Sequence, residues 1–238
     1  MEASVQYNLT KQGYIERKKH DMEGEKIVGQ YLDDNFYSTW TLSMDRNEEA
    51  TTQWAGLDLT VTGYSKAVYT IDEKASTYWV NRYLSTFALE VNFINKAGQV
   101  QAGWLMDKNT INDYWLFVWL DSATTTELKS SMDITQSTVS LVKKSDMYNY
   151  FHKIGLTGTE LIQAAKDLRS EFNRNGKTYT YIHGLKLTIQ DKKYEHAINI
   201  LFPRNVLVND NDLATLSMEI KNGKQRIIRN KCENNVQA

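Results

Sequence analysis

The sequence predicts a protein of the α/β (α+β) class, in which helices accompany a β-sheet. Residues 23–37 carry apolar side chains at the spacing of an amphipathic helix. Residues 57–61 alternate apolar and polar side chains, which is typical of a strand with one buried face, and residues 68–74 form a second β-like segment. Residues 114–120 are apolar on both faces, as expected for a central strand that is covered on each side.

Further elements follow along the chain. Thr157-Gly158-Thr159-Glu160 has the spacing of a capping box, and it predicts a helix from there to about Phe172. Asn222-Gly223 is a strong turn signal, and it predicts a terminal hairpin formed by residues 213–220 and 225–228. Strands are also expected at 87–93, 99–106, 178–190 and 197–202.

Length, charge and cysteine content limit the classes of function. The 238 residues can bury a substantial core, and no boundary within residues 1–238 divides them, so we expect a single domain. The net charge of -1 gives no global attraction to nucleic acid, so any DNA binding must depend on a local site. Cys232 is the single cysteine, which excludes an internal disulfide and a cysteine-based zinc site.

Targeting signals and other common chemistries lack support. The N-terminal residues do not have the charged-then-apolar layout of a signal peptide, and no apolar run has the length of a membrane helix. We therefore expect a cytoplasmic protein that does not contact a membrane. The sequence contains no glycine-rich nucleotide-binding loop, and its four histidines show no metal-ligand spacing.

Three charged side chains of the first two strands are predicted to meet. The two-residue period of a strand puts Asp72 and Lys74 on one face and Glu73 on the other. The link at 62–67 suits a hairpin, and antiparallel pairing then brings Asp58 beside the other two. Two carboxylates with one ammonium can hold a divalent metal and activate water against a phosphodiester.

An acidic residue two positions before a lysine is not distinctive by itself. Four other acid–lysine pairs in the sequence have this spacing, but Asp72 and Lys74 differ from them because a second acid, Asp58, lies one hairpin upstream. A surface ion pair across an edge strand is the alternative interpretation of Asp72 and Lys74. The same spacing occurs at Glu16/Lys18, Glu127/Lys129, Asp191/Lys193 and Glu219/Lys221.

Gly56-Leu57-Asp58 and Asp72-Glu73-Lys74, with thirteen residues between the two aspartates, resemble the motif of the PD-(D/E)XK nuclease superfamily. Leu57 stands where the family motif has proline. The resemblance covers residues 25–120 and implies a restriction-endonuclease-like core, a mixed central β-sheet flanked by helices. Residues 121–238 then form a C-terminal α/β elaboration.

The resemblance also implies the roles of the site residues. In that family the first Asp and the acid of the triplet bind the metal, here Asp58 and Asp72 with Mg²⁺ or Mn²⁺. The lysine, here Lys74, orients the attacking water or stabilises the transition state. Members often carry a Glu on the preceding helix, and Glu25 fits because it lies on the apolar side, near Val28. Favourable charge near a helix N-terminus is the alternative interpretation of Glu25.

Five further residues are weaker candidates. Glu90 lies on the polar face of an alternating strand and would be an extra ligand or a base if that strand adjoined the hairpin; an exposed polar face explains it equally well. Lys66 and Arg82 are candidates for phosphate contact or plain solvated charges. Trp54 and Trp79 are candidates for stacking on unpaired bases or ordinary packing residues.

The sequence therefore predicts a magnesium- or manganese-dependent nuclease that hydrolyses phosphodiester bonds in DNA. One alternative is a catalytically inactive protein of the same fold that binds nucleic acid or a protein partner. The other is an aromatic-lined module that binds carbohydrate or a partner protein. Strandedness of the substrate, endonuclease or exonuclease action, and formation of a homo-oligomer are left open by the sequence.

Overall fold

The protein has a mixed α+β architecture with two β-sheets. The computed structural model describes residues 11–231 except 48, 50, 51, 53, 54, 123–127 and 191–195, with side chains from Lys19 onward. None of the helices in these ranges combines the length and the apolar character that a membrane crossing requires.

Helices α1 to α5 are spread along the chain. The first, Lys11–Leu32 (α1), continues through a π-helical turn, Asp33–Tyr37, into a last short turn, Ser38–Trp40 (α2). The others are Lys144–Lys153 (α3), Gly158–Asn175 (α4) and Arg204–Asn209 (α5).

The strands of the described residues are numbered β1 to β12. They are Ser43–Arg46 (β1), Leu59–Thr62 (β2), Val68–Ala75 (β3), Thr86–Ile94 (β4), Val100–Ala102 (β5), Tyr114–Ser122 (β6), Ile134–Lys143 (β7), Tyr179–Ile182 (β8), Leu185–Ile189 (β9), Ile198–Pro203 (β10), Ala214–Lys221 (β11) and Lys224–Asn230 (β12).

Seven strands form a large mixed sheet in the order β1-β2-β3-β6-β7-β11-β12. Strands β3 and β6 pair in parallel, and the other neighbours pair antiparallel. The remaining five form a second sheet in the order β5-β4-β10-β9-β8. Both sheets take strands from each side of residue 120, so the C-terminal half completes the sheets that the N-terminal half begins.

Two hydrophobic cores lie on opposite faces of the large sheet. One core packs α1 against Leu59, Ile71 and Leu116. The other packs Trp115 and Phe117 against the second sheet and the helices α3, α4 and α5. Because β6 contributes alternate residues to both cores, its side chains from Trp115 to Leu120 are all buried, as the sequence predicts for a central strand.

Several elements predicted from the sequence are confirmed. Strands β2 and β3 form the expected antiparallel hairpin around residues 63–67. Thr157 caps α4 through a complete capping box with Glu160. Asn222 and Gly223 both have positive φ, as their two-residue hairpin turn requires.

Other expectations are wrong. Residues 178–190 form two strands, because the chain reverses at His183 and Gly184, both of which have positive φ. The first helix begins at Lys11, well before residue 23. The strand that carries Glu90, β4, does not adjoin the hairpin, since it pairs with β5 and β10 in the second sheet.

Candidate functional site

Asp58 is fixed at the entrance to β2 by backbone hydrogen bonds. Its N–H donates to the Ile71 carbonyl at 3.0 Å, and its own carbonyl accepts from the Asn47 N–H at 2.8 Å. The Asp58 side chain reaches across the hairpin, where Oδ2 accepts from the backbone N–H of Glu73 at 2.6 Å. The hairpin register therefore ties this carboxylate to the middle of the Asp72-Glu73-Lys74 triplet.

Asp72 and Lys74 project from the same face of β3, toward the core between the two sheets. Their register neighbours on β6 are Trp115 and Phe117, which belong to that core. Asp72 is 1% exposed, and its Oδ1 accepts from Lys74 Nζ at 2.5 Å. The ammonium also lies 5.4 Å from the centre of the Trp104 ring, within the range of a cation–π contact. The alternation of faces predicted for β3 is confirmed.

The Asp58 carboxyl is held in an unfavourable environment for a negative charge. Burial raises the pKa of Asp58, and the neighbouring charge of Asp72 raises it further, to about 8. The charge of Lys74 and the hydrogen bond from the Glu73 N–H act in the opposite direction but do not cancel this rise. Asp58 therefore holds a proton near neutral pH until a cation or a higher pH removes it.

Lys74 keeps its proton over the same range. Burial favours the neutral amine, but Asp72, Asp58 and Glu25 outweigh it and raise the pKa of Lys74 above its usual value. Lys74 is thus a hydrogen-bond donor and a fixed positive charge at neutral pH, and it is not available as a general base.

Two buried oxygen atoms near this cluster lack hydrogen-bond partners among the described residues. They are Oδ2 of Asp72 and Oδ1 of Asn112, a residue that is 4% exposed. The Asn112 amide is oriented by its Nδ2, which donates to the Tyr114 carbonyl at 3.0 Å. Buried acceptors of this kind are costly unless a donor or a cation satisfies them.

Gly56 lies against both of these oxygens. Its φ is +75°, and a Cβ built on it would lie 3.4 Å from Asp72 Oδ2 and 3.3 Å from Asn112 Oδ1. Any larger residue at this position would be strained and would press on the two acceptors. Sequence reasoning did not predict Asn112 as a site residue, because no local pattern indicates that the loop before β6 lies beside Gly56.

Glu25 lies in the interior of α1, fourteen residues after its start, so the explanation from a helix N-terminus is wrong. The expectation that Glu25 shares the apolar side of the helix with Val28 does not make it buried, since Val28 and Gly29 are buried and Glu25 is exposed. Partial burial raises the pKa of Glu25, Lys74 opposes that rise, and Asp72 adds to it. Glu25 is therefore an exposed carboxylate on which the charges of the cluster act.

The weaker candidates are distributed over the surface. Lys66 is exposed in the hairpin turn, at the opposite end of β3 from Lys74, and the structure does not bring it to the cluster. Arg82 packs over the Trp79 ring at 5.3 Å, and both residues are exposed. Glu90 belongs to the second sheet, and Trp54 lies outside the described residues.

In the ranges that the structure describes, no three His, Cys, Asp or Glu side chains converge closely enough to hold a metal by themselves. The charge of Asp72 acts on the Asp58 carboxyl, and Lys74 donates to one oxygen of Asp72. No model of a protein family matches the chain, and neither a curated protein nor a solved structure matches it.

Proposed function

We propose that this protein is a metal-dependent nuclease of the PD-(D/E)XK type that hydrolyses phosphodiester bonds in DNA. The observation that carries the proposal is the convergence of Asp58, Asp72 and Lys74 at one point, with one oxygen of Asp72 left without a hydrogen-bond partner. The mixed sheet behind the hairpin supports a restriction-endonuclease-like core, because β3 carries the triplet next to a buried parallel strand.

The residues present fit a Mg²⁺ or Mn²⁺ ion. Asp58, Asp72 and the Asn112 amide offer oxygen ligands, and two of these oxygens are buried acceptors that need a partner. Mg²⁺ often binds through one or two carboxylates together with substrate phosphate, so three carboxylates are not required. Glu25 would join the ligand set as an exposed carboxylate. When bound, the ion supplies Lewis-acid activation of a phosphoryl oxygen and of the attacking water.

Lys74 would provide the positive charge that the reaction needs at phosphorus. Its ammonium donates to Asp72, and the Lys74 side chain is one quarter exposed, so a phosphate oxygen or a water could lie beside it. As the water oxygen bonds to phosphorus and one ester P–O bond breaks, negative charge grows on the phosphoryl oxygens. A fixed ammonium at that position stabilises this charge more than that of the ground state.

Asp58 would take part only in its ionised form. Its raised pKa keeps Asp58 protonated near pH 7 in the absence of a cation. A cation that binds to Asp58 would displace this proton and stabilise the carboxylate form. The hydrogen bond from the Glu73 N–H engages Oδ2, so Oδ1 would be the oxygen that binds the cation.

The test is a cleavage assay with purified protein and labelled single- and double-stranded DNA in the presence of Mg²⁺ or Mn²⁺. We expect cleavage by the wild type, with losses of at least about 10³-fold for Asp72→Asn and Lys74→Ala. Chelation of the divalent ion should abolish the activity of the wild type.

Glu219 and Lys221 provide matched controls, because they have the same spacing on β11 but lie at the surface, where Glu219 pairs with Arg226. Glu219→Gln and Lys221→Ala should cleave at wild-type rates. Equal activity of the wild type and the Asp72 and Lys74 variants, or no cleavage under any metal, would contradict the proposal.

A further inference from the structure

A cleft of about 420 Å³ opens between the loop that follows Trp104 and the helices α3 and α4. Its volume lies within the usual range of small-molecule pockets, about 300–1,000 Å³. Met106, Phe151 and Leu156 give it apolar walls, and Tyr148 lies among them with its hydroxyl donated to the Leu105 carbonyl. These walls suit the apolar faces of a flat ring.

The cleft adjoins the cluster of Asp58, Asp72 and Lys74. Lys144 lines the cleft, and its Nζ donates to the carbonyl oxygen and the hydroxyl of Thr110. The Thr110 Cβ lies 3.3 Å from a Cβ built on Gly56, a point that is itself 3.4 Å from Asp72 Oδ2. Asp72 is also close enough to Lys144 to influence its pKa, which burial lowers.

The chemistry at the rim of the cleft favours an anion. Lys108, Lys144 and His152 line it, and no Asp or Glu is among its described lining residues. Acidic groups lie just outside this lining, and the charges of Asp107, Asp72 and Asp113 all act on Lys144. The described lining itself thus carries two lysines and no carboxylate, in a protein with a net charge of -1.

We propose that this cleft binds one nucleotide of the DNA strand whose phosphodiester lies at Asp72 and Lys74. The base enters between the apolar walls, and its phosphate lies near Lys108 and Lys144. The identity of this ligand rests on the proposed function, whereas the cleft and its charges do not.

The geometry also determines the class of substrate. A base can enter a cleft of this kind only if it leaves the helical stack, which costs a few kcal/mol in paired DNA and little in a single strand. The site therefore prefers single-stranded DNA, or the unpaired end of a duplex, over internal duplex.

The experiment measures DNA binding without cleavage. Full-length protein with Asp72→Asn, in buffer with EDTA, is titrated into a fluorescein-labelled 12-nucleotide single strand and into the matching duplex. A second single strand carries 2-aminopurine, whose emission rises when the base leaves its stacked neighbours. We expect about tenfold tighter binding of the single strand and a rise in 2-aminopurine emission.

Two substitutions in the Asp72→Asn background test the cleft itself. Lys108→Glu should weaken binding about five- to tenfold and lower the dependence of log Kd on log salt by about one. Gly158 is the exposed first residue of α4, and a Cβ built on it would lie 3.4 Å from Met106 Cε. A leucine side chain at this position would therefore enter the cleft, so Gly158→Leu should remove the rise in 2-aminopurine emission. Lys129→Glu, an exposed lysine next to the other core, is the matched charge control.

The outcomes separate this inference from the proposed function. Binding that depends on Lys108 and Gly158 supports the cleft even if no DNA is cleaved by the wild type. Binding by both variants as tight as that of the Lys129→Glu control overturns the cleft assignment, even if wild-type cleavage is normal. Absence of any DNA binding overturns it as well.

Discussion

The two faces of β3 carry acidic residues in opposite states. On the face toward α1, Glu73 accepts from Arg46 at 3.1 Å on each oxygen and from the Tyr37 hydroxyl at 2.9 Å. Arg46 in turn binds Asp33. On the face toward the second sheet, Asp72 has one oxygen on Lys74 and the other without a partner among the described residues.

This difference separates a structural ion network from a site with unused binding capacity. Satisfied buried charges hold a fold together but have nothing left to offer a ligand. An unsatisfied carboxylate beside a second acid with a pKa of about 8 is costly for the fold and available for chemistry. Two residues that are adjacent in the sequence thus serve different purposes because a strand directs them to opposite faces.

The largest effect is expected at Asp58. Asp58→Asn keeps an acceptor for the Glu73 N–H but removes the anion, so DNA cleavage should fall by at least about 10³-fold. The same variant should be more stable than the wild type at pH 9 by ~1–2 kcal/mol, since it no longer buries an ionised carboxylate. Urea unfolding together with the cleavage assay checks both statements, and a destabilised variant would contradict the second.

The opposite outcome is expected for the network on the other face. Arg46→Ala removes the cationic partner of Glu73 and Asp33, which are both mostly buried, and should lower the free energy of unfolding by about 2–4 kcal/mol. Arg226→Ala, which removes a surface partner of Glu219, should cost less than about 1 kcal/mol. Chemical denaturation measures both. Under conditions in which the variant remains folded, Arg46→Ala should cleave DNA at the wild-type rate. A loss of cleavage activity as large as that of Asp58→Asn would remove the distinction between the two faces of β3.

The pH dependence of stability gives a smaller effect with a definite sign. The folded-state pKa of Asp58, about 8, lies above the ordinary value of 3.8, so between these values the folded protein holds a proton that the unfolded chain has lost. The contribution of Asp58 to stability therefore falls as pH rises through this window.

Mn²⁺ must displace the same proton, so apparent Mn²⁺ affinity should rise up to about tenfold per pH unit from pH 6 to pH 8. Calorimetry in buffers of different ionisation enthalpy counts the proton released, and zero release at pH 7 would contradict the assignment.

The smallest effect is expected at Asn112. Asn112→Ala removes one neutral oxygen and should weaken Mn²⁺ binding about three- to tenfold, whereas Asn112→Asp should strengthen it at pH 8. Both are measured by calorimetry on the protein without DNA. Equal affinities for all three proteins would remove Asn112 from the site.

Local pattern was sufficient to predict the part of the site that a single hairpin builds. The two-residue alternation around Asp72 and the short link before Val68 determine which side chains share a face, and both depend only on neighbouring residues. The capping box at Thr157 and the turn at Asn222 were predictable for the same reason.

Long-range pairing was not predictable in this way. Alternation in β4 separates its two faces but does not say which strand it pairs with, so the sequence leaves open whether Glu90 lies beside the hairpin; it lies in the second sheet. Asn112 and Lys144 reach the site because the loop before β6 is fixed by bonds such as the Asp113 N–H to the Thr70 carbonyl. Such contacts between distant segments leave no periodic signal in the sequence.

Calorimetric titration of Mn²⁺ into the wild type, Asp72→Asn and Glu73→Gln is the most direct comparison of the two faces of β3. The wild type and Glu73→Gln should take up the ion with similar affinity, and Asp72→Asn should show no measurable uptake. No uptake by the wild type, or equal uptake by all three proteins, would mean that the unpaired carboxylate of Asp72 is not a cation site.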